Sequence, residues 1–223
     1  MSGGVVSAGS GVNLWTEQEH AADYLERRHS IPHRGEGHAA LLEFLPPTAR
    51  RVADLGSGDG YLLAELRRVR PGLGGIAVDF SDEMLGRARE RFAATPEVTV
   101  VEHDLDAPLP AWEPFDAVVS SFAIHHVTDA RKRTLAAEVF GLLRPGGVFL
   151  DLDHVASPTP QLHEQFLDAI GLSPDRDDPS NKLAPVADQL DWLREAGFEQ
   201  VEVNFKWAEA AIFGAVKPPA GGR

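Results

Sequence analysis

The chain has 223 residues, 43% hydrophobic and 25% charged, proportions of a folded globular protein rather than a disordered or fibrous one. Its formal net charge of −13, from 34 acidic and 21 basic residues, repels a phosphate backbone and argues against a nucleic-acid partner. The absence of cysteine excludes disulfides, thiolate nucleophiles and Cys-ligated zinc. No apolar run approaches the ~18 residues of a membrane helix and the first residues lack a signal-peptide pattern, so a soluble, cytoplasmic protein with no membrane partner is expected, as monomer or homodimer.

In chain order, residues 1–13 are rich in Gly and Ser and read as a flexible tail, like 218–223. Residues 17–28 and 36–45 have helical patterning and are stopped by Pro46-Pro47, forming a helical segment over 14–47. The period then changes. R-V-A-D-L from Arg51 leads to a helix ending near Val69, and G-G-I-A-V-D-F from Gly74 to a helix over 82–94. V-T-V-V-E-H-D-L from Val98 enters a Pro-rich loop, F-D-A-V-V-S-S-F from Phe115 leads to a helix over 129–143, and G-G-V-F-L-D-L-D begins at Gly146. Apolar runs alternating with helices predict a mostly parallel, doubly wound sheet covered on both faces. A helix carrying Val186, Leu190 and Leu193 on one face, ended by Gly197, precedes two runs with almost no spacer, F-E-Q-V-E-V-N-F-K-W and E-A-A-I-F-G-A-V. Strands so close pair as an antiparallel hairpin. The fold class is thus α/β, a Rossmann-like seven-stranded sheet with an antiparallel last strand, in one domain over 14–217; residues 154–185 form an insertion on the substrate side.

The sharpest local signal is V-A-D-L-G-S-G-D-G, a strand entering a turn with Gly56, Gly58 and Gly60 and leaving as a helix. Glycine allows positive φ and close approach of a ligand, and the helix start offers free N–H groups. A dinucleotide fingerprint needs a small residue where Tyr61 stands, and a phosphate-binding P-loop needs a Lys that is absent. The next strand ends in Asp79, able to accept hydrogen bonds from both hydroxyls of a ribose, and the third run ends with Asp104 at the same sheet edge, in reach of an adenine amine. Singly, each feature also reads as a tight turn, a helix cap or a loop carboxylate. On this placement, Asp79→Ala is expected to cost roughly 2 to 4 kcal/mol of ligand affinity and to leave the fold intact.

These segments, D-L-G-S-G-D-G, V-D-F-S-D-E-M-L, E-H-D-L, F-D-A-V-V-S-S-F-A-I-H-H-V and L-L-R-P-G-G-V-F-L, resemble the successive motifs of class I S-adenosylmethionine-dependent methyltransferases. The likeness spans about 51–153 and extends to the terminal hairpin; segments H-R-G-E, S-P-T-P and D-P-S-N resemble a bacterial branch of that superfamily. The resemblance implies S-adenosyl-L-methionine as cofactor, S-adenosyl-L-homocysteine as product and a small-molecule acceptor. It implies that Gly56, Gly58 and Gly60 line the methionine moiety, Asp79 binds ribose, and Asp104 and Leu105 meet adenine. Ser120, Ser121 and Phe122 border the donor methyl, and Asp54, Ser57, Phe80 and Met84 complete the set. The amino-terminal segment is expected to close over the cofactor, with Arg34 on its carboxylate and Tyr24 or Trp15 over the sulfonium; an ordinary amphipathic helix is the competing reading.

Methyl transfer depends chiefly on alignment and exclusion of water; a base helps when the acceptor is a hydroxyl or a protonated amine. His125, His126 and His154 follow the fourth and fifth strands and are the candidates, although His126 can equally fix its loop through a backbone contact. Alternation sends Asp151 and Asp153 to one face and His154 to the other, so no metal site is expected. Phe166 and Ile170 read as core rather than site. The expected activity is transfer of a methyl group to O, N or C of a small molecule. The alternatives are cyclase- or lyase-type chemistry on the same cofactor and a non-catalytic cofactor-binding module; a nicotinamide-dependent reductase is disfavoured by Tyr61 and the hairpin.

Overall fold

A computed structural model describes residues 32–221. The helix expected over 17–28, with Trp15 and Tyr24, lies outside the described residues. The elements in order are α1 (Arg34–Phe44), β1 (Arg51–Leu55), α2 (Tyr61–Val69), β2 (Gly74–Asp79), α3 (Asp82–Arg91), β3 (Val98–Glu102), β4 (Phe115–Ser121), a 3₁₀ turn (Ile124–His126), α4 (Asp129–Leu142), β5 (Leu143–His154), α5 (Pro160–Ala169), a second 3₁₀ turn (Pro174–Arg176), α6 (Val186–Glu195), β6 (Glu199–Trp207) and β7 (Ala210–Val216). The seven strands form one sheet in the order β3-β2-β1-β4-β5-β7-β6. β7 runs antiparallel to both its neighbours, and the other pairings are parallel.

Side-chain alternation divides the core into two layers. One face carries Ala53, Leu55, Val78, Val118, Phe149 and Phe213, covered by Leu135 and Val139 of α4 and Leu193 of α6. The other carries Val52, Ala77, Val119, Leu150 and Ile212, covered by Leu41 of α1 and Leu62, Leu63 and Leu66 of α2. The direction of winding reverses between β1 and β4, which pair directly. Open α/β sheets bind ligands in the crevice that such a reversal opens beyond the carboxyl ends of the strands. Leu55 lies beside Val78 and Ser120, and Asp79 beside Glu102, so the ends of four strands reach one edge.

Several bounds differ from expectation. The first described helix starts at Arg34, because His33 in the left-handed region forms its N-cap. α3 ends at Arg91. β5 begins at Leu143, which pairs with Phe115 before the ladder resumes at Ala117 and Val148, so the Pro145-Gly146-Gly147 stretch bulges from the strand. The segment 154–185, expected only as an insertion, contains α5. Its start explains S-P-T-P: the Thr159 Oγ accepts a hydrogen bond from the Leu162 amide and Pro160 occupies the first turn, where its missing N–H costs nothing. Phe166 is buried at 3% exposure, as expected of a core residue, and Ile170 is half-buried.

Candidate active site

The glycine turn is shaped by its backbone. Gly56, Gly58 and Gly60 have φ of 64°, 54° and 76°, which side-chain-bearing residues seldom adopt. A Cβ on Gly56 would stand 2.2 Å from that of Ala123, so the turn can lie this close to the end of β4 only with glycine. The Gly58 amide donates to the Asp79 carboxylate at 2.8 Å, and the Phe80 and Ser81 amides donate to its other oxygen, both at 2.9 Å. Asp79 is thereby fixed at the tip of β2 with acceptor capacity left for hydroxyls, since a carboxylate offers about four lone-pair sites. Burial raises its pKa against the pull of these amides. Asp79→Ala would strip three backbone donors of their acceptor, so a loss of stability is expected beside the loss of affinity.

Above this turn a cavity opens at the strand ends. It is lined by Arg34, Asp54, Gly56, Ser57, Asp79, Phe80, Met84, Asp104, Leu105, Ser121, Phe122 and His126 among the expected site residues. Asp54 is fully buried, and neither of its oxygens has a hydrogen-bond partner; the Ser57 hydroxyl is likewise unpartnered. Burial pushes the Asp54 pKa up to about 8; the nearby Leu63 amide opposes it, and the Asp79 and Asp59 charges add to it. Orphaned polar atoms at a cavity wall await polar groups from a ligand, and a cationic or N–H-bearing group matches an acidic acceptor. Asp104 is exposed, its Oδ1 accepting from the Asp106 amide at 2.9 Å, while Leu105 beside it is buried. The guanidinium of Arg34 lies over the Phe122 ring, 4.8 Å from its centroid.

Other expected residues are placed elsewhere. Gly58 is not among the cavity's lining residues, although an added Cβ there would meet only Met84 Sδ at 3.8 Å, and Gly60 is the N-cap of α2, where an added Cβ would meet the Phe92 ring at 2.4 Å. Both shape the turn. The Ser120 hydroxyl is fully buried and donates to the Leu55 carbonyl at 2.9 Å, joining β4 to β1. Tyr24 lies outside the described residues.

The three histidines separate. His125, 5% exposed, turns inward and its Nδ1 pairs with Asp153 Oδ1, which also accepts the His154 amide. Burial lowers the His125 pKa to about 3 and raises that of Asp153 to about 7, so the pair favours neutral forms in the core. His154 is held edge-on to Phe122 and Phe166, at 5.5 and 5.2 Å, and burial pushes its pKa to about 3. Neither ring lines the cavity. His126 does, with its Nδ1 3.1 Å from the Ser180 hydroxyl. Burial and the neighbouring His125 hold the His126 pKa low. Among the described residues no group of three or more His, Cys, Asp or Glu side chains could hold a metal ion, and no helix is long and apolar enough to cross a membrane.

Among the wall residues that sequence reasoning missed are His38, Tyr61, Ser180 and Lys182. His38 shares a 2.9 Å hydrogen bond with Ser121 and its ring lies 5.7 Å from that of Tyr61. Its spacing of four from Arg34 places both on one helix face, a signal that could have found it. Ser180 and Lys182 sit in a loop whose pattern gives no sign that it folds back on the histidine turn.

A crevice at a winding reversal, with a glycine turn and carboxylates at three successive strand ends, defines a nucleoside-binding α/β protein. A family model described as "Methyltransferase domain" matches residues 52–147. The chain is 31% identical over 190 residues to a demethylmenaquinone methyltransferase of Clavibacter sepedonicus, covering 78% of this chain and 76% of that one. It belongs to the class I S-adenosylmethionine-dependent methyltransferases. An uncharacterised methyltransferase of Mycobacterium tuberculosis is 41% identical over 109 residues, 48% of this chain and 53% of its own length, so the match spans about half of that relative. A carboxy-S-adenosyl-L-methionine synthase of Nautilia profundicola is 24% identical over 187 residues, covering 75% of this chain and 77% of that one. The structure of an O-methyltransferase family protein from Burkholderia thailandensis superposes with a TM-score of 0.71 at 19% identity, covering 92% of this chain and 62% of that one; it shares the fold.

Proposed function

We propose that this protein binds S-adenosylmethionine in the cavity at the β1–β4 crevice and transfers its methyl group to a small organic acceptor. The observation that carries the reading is the convergence of Asp54, Asp79 and Asp104 on one cavity, with both oxygens of Asp54 unpartnered. The cofactor supplies an electrophilic methyl on a sulfonium. Asp104 and Leu105 hold the adenine, Asp79 the ribose hydroxyls, and Asp54 with Ser57 the methionine ammonium, while Arg34 engages its carboxylate. The wall made by His38, Ser121, Phe122, His126 and Lys182 then faces the acceptor, with Tyr61 beside His38.

Incubation with methyl-labelled S-adenosylmethionine and a metabolite extract is expected to yield a labelled small molecule and S-adenosylhomocysteine. Saturable cofactor binding with no label transferred would count against this function. The likeness to a carboxy-S-adenosyl-L-methionine synthase favours a second reading, in which the cofactor itself is the molecule altered. A modified sulfonium in place of S-adenosylhomocysteine would select it.

A further inference from the structure

The loop after the second 3₁₀ turn carries Asp178-Pro179-Ser180-Asn181, which cofactor binding leaves without a task. Ser180 is 8% exposed, and its hydroxyl donates to Asp178 Oδ1 at 2.7 Å. A hydroxyl has one proton and a carboxylate only accepts. Toward His126 Nδ1, 3.1 Å away, Ser180 can therefore only accept. The imidazole must carry its proton on Nδ1 and its lone pair on Nε2. Backbone contacts hold this arrangement: the Ser180 amide donates to the same Asp178 oxygen at 2.8 Å, the Lys182 amide donates to the His125 carbonyl at 2.9 Å, and the Lys182 ammonium lies on the His126 carbonyl. The buried ammonium of Lys132 grips the Lys182 carbonyl from the other side. His126, Ser180 and Lys182 all line the cavity.

We infer that Asp178 and Ser180 are positioning residues that fix His126 as a proton acceptor through Nε2, and that the methyl-receiving atom of the substrate is a hydroxyl oxygen or an N–H nitrogen. This rests on the methyltransferase reading above. As the bond from that atom to the methyl carbon forms, the S–CH₃ bond breaks with its electron pair left on sulfur. The O–H or N–H proton passes to Nε2, so the positive charge leaves the sulfonium and appears on the imidazolium. Asp178 stands behind Ser180 to oppose that charge, which a neutral pair could not do.

The tautomer can be measured without substrate or cofactor. In the full chain labelled with ¹⁵N-histidine, long-range ¹H–¹⁵N spectra, with His126 identified by the signal lost in His126→Gln, are expected to show the proton on Nδ1. Ser180→Ala should abolish this single form and Ser180→Thr restore it. Asp178→Ala, which removes the acceptor and leaves the Ser180 proton free to turn toward Nδ1, should shift the imidazole proton toward Nε2, and it serves where Ser180→Ala does not fold. A proton on Nε2 in the unaltered chain, or an Nδ1–H form indifferent to Ser180→Ala and Asp178→Ala, would overturn the proposal. Calorimetric titration with S-adenosylhomocysteine tests the underlying reading separately: no binding by the unaltered chain defeats that reading, whatever the tautomer. With the acceptor found by label transfer, Ser180→Ala should lower kcat at least about tenfold with KM for S-adenosylmethionine unchanged. An unchanged kcat, or label on a carbon, would sink the inference.

Discussion

At the β1–β2 end of the cavity, the groups that face inward are set by the backbone: a turn of glycines at positive φ, and a carboxylate at β2's tip gripped by three amides. At the other end they are side chains drawn from α1, the first 3₁₀ turn and the 177–182 loop, joined by contacts such as His38 to Ser121 and His126 to Ser180. The first end is rigid because main-chain geometry leaves it few alternatives. The second depends on side-chain identity and can be rebuilt without disturbing the sheet, as expected if one end receives an invariant cofactor and the other a variable acceptor.

Substitutions can break this comparison. The largest effect is expected from Gly56→Ala, since the new Cβ meets Ala123 at 2.2 Å in a backbone conformation that disfavours it. A loss of about 4 kcal/mol of stability in urea unfolding, with cofactor binding abolished in calorimetry, is expected; near-normal values would show that the turn is not constrained. Asp153→Ala should cost about 3 kcal/mol by leaving His125 and the His154 amide without their acceptor in the core, yet the folded fraction should bind cofactor normally. A selective loss of affinity there would place His125 in the site after all. Asp79→Ala should weaken cofactor binding by about 2 kcal/mol and, unlike Asp153→Ala, lower affinity and stability together.

The smallest effect concerns pH. Burial of Asp116 works against ionisation, but the Arg50 and Arg51 amides and the Arg144 guanidinium outweigh it and hold its pKa below the ordinary carboxylate value. A depressed folded-state pKa contributes stability that is present above the unfolded value, near 4, and is lost as pH falls through the folded one. Asp116→Asn should therefore cost about 1 kcal/mol at neutral pH and less in acid, read as converging urea midpoints; a difference independent of pH would contradict it.

The backbone-built end was also the legible one. Parallel strands buried on both faces write continuous apolar runs, and the turn writes its own glycines, so β1, β2, β4 and the carboxylate-bearing ends at Asp79 and Asp104 could be located from local pattern. The terminal hairpin followed from the short spacer alone. What the pattern could not carry is the direction in which neighbours in a turn point. His125 and His126 are adjacent, yet one pairs with Asp153 in the core and the other lines the cavity, a division decided by β5 and the 177–182 loop. Gly60 likewise looks like a ligand contact but packs on Phe92, a partner 32 residues away.

One residue joins the two ends. Phe122, at the tip of β4, holds φ at 54° without being glycine, and its amide is bound to the Leu152 carbonyl. Such a conformation costs on the order of 1 to 3 kcal/mol and persists only where surrounding contacts over-determine it. Glycine at this position would relax the chain, but it would remove the aromatic surface on which the Arg34 guanidinium and the edge of His154 rest. Variants selected only for thermal tolerance would therefore drift toward glycine at 122 and lose the aromatic ring on which the two side chains meet.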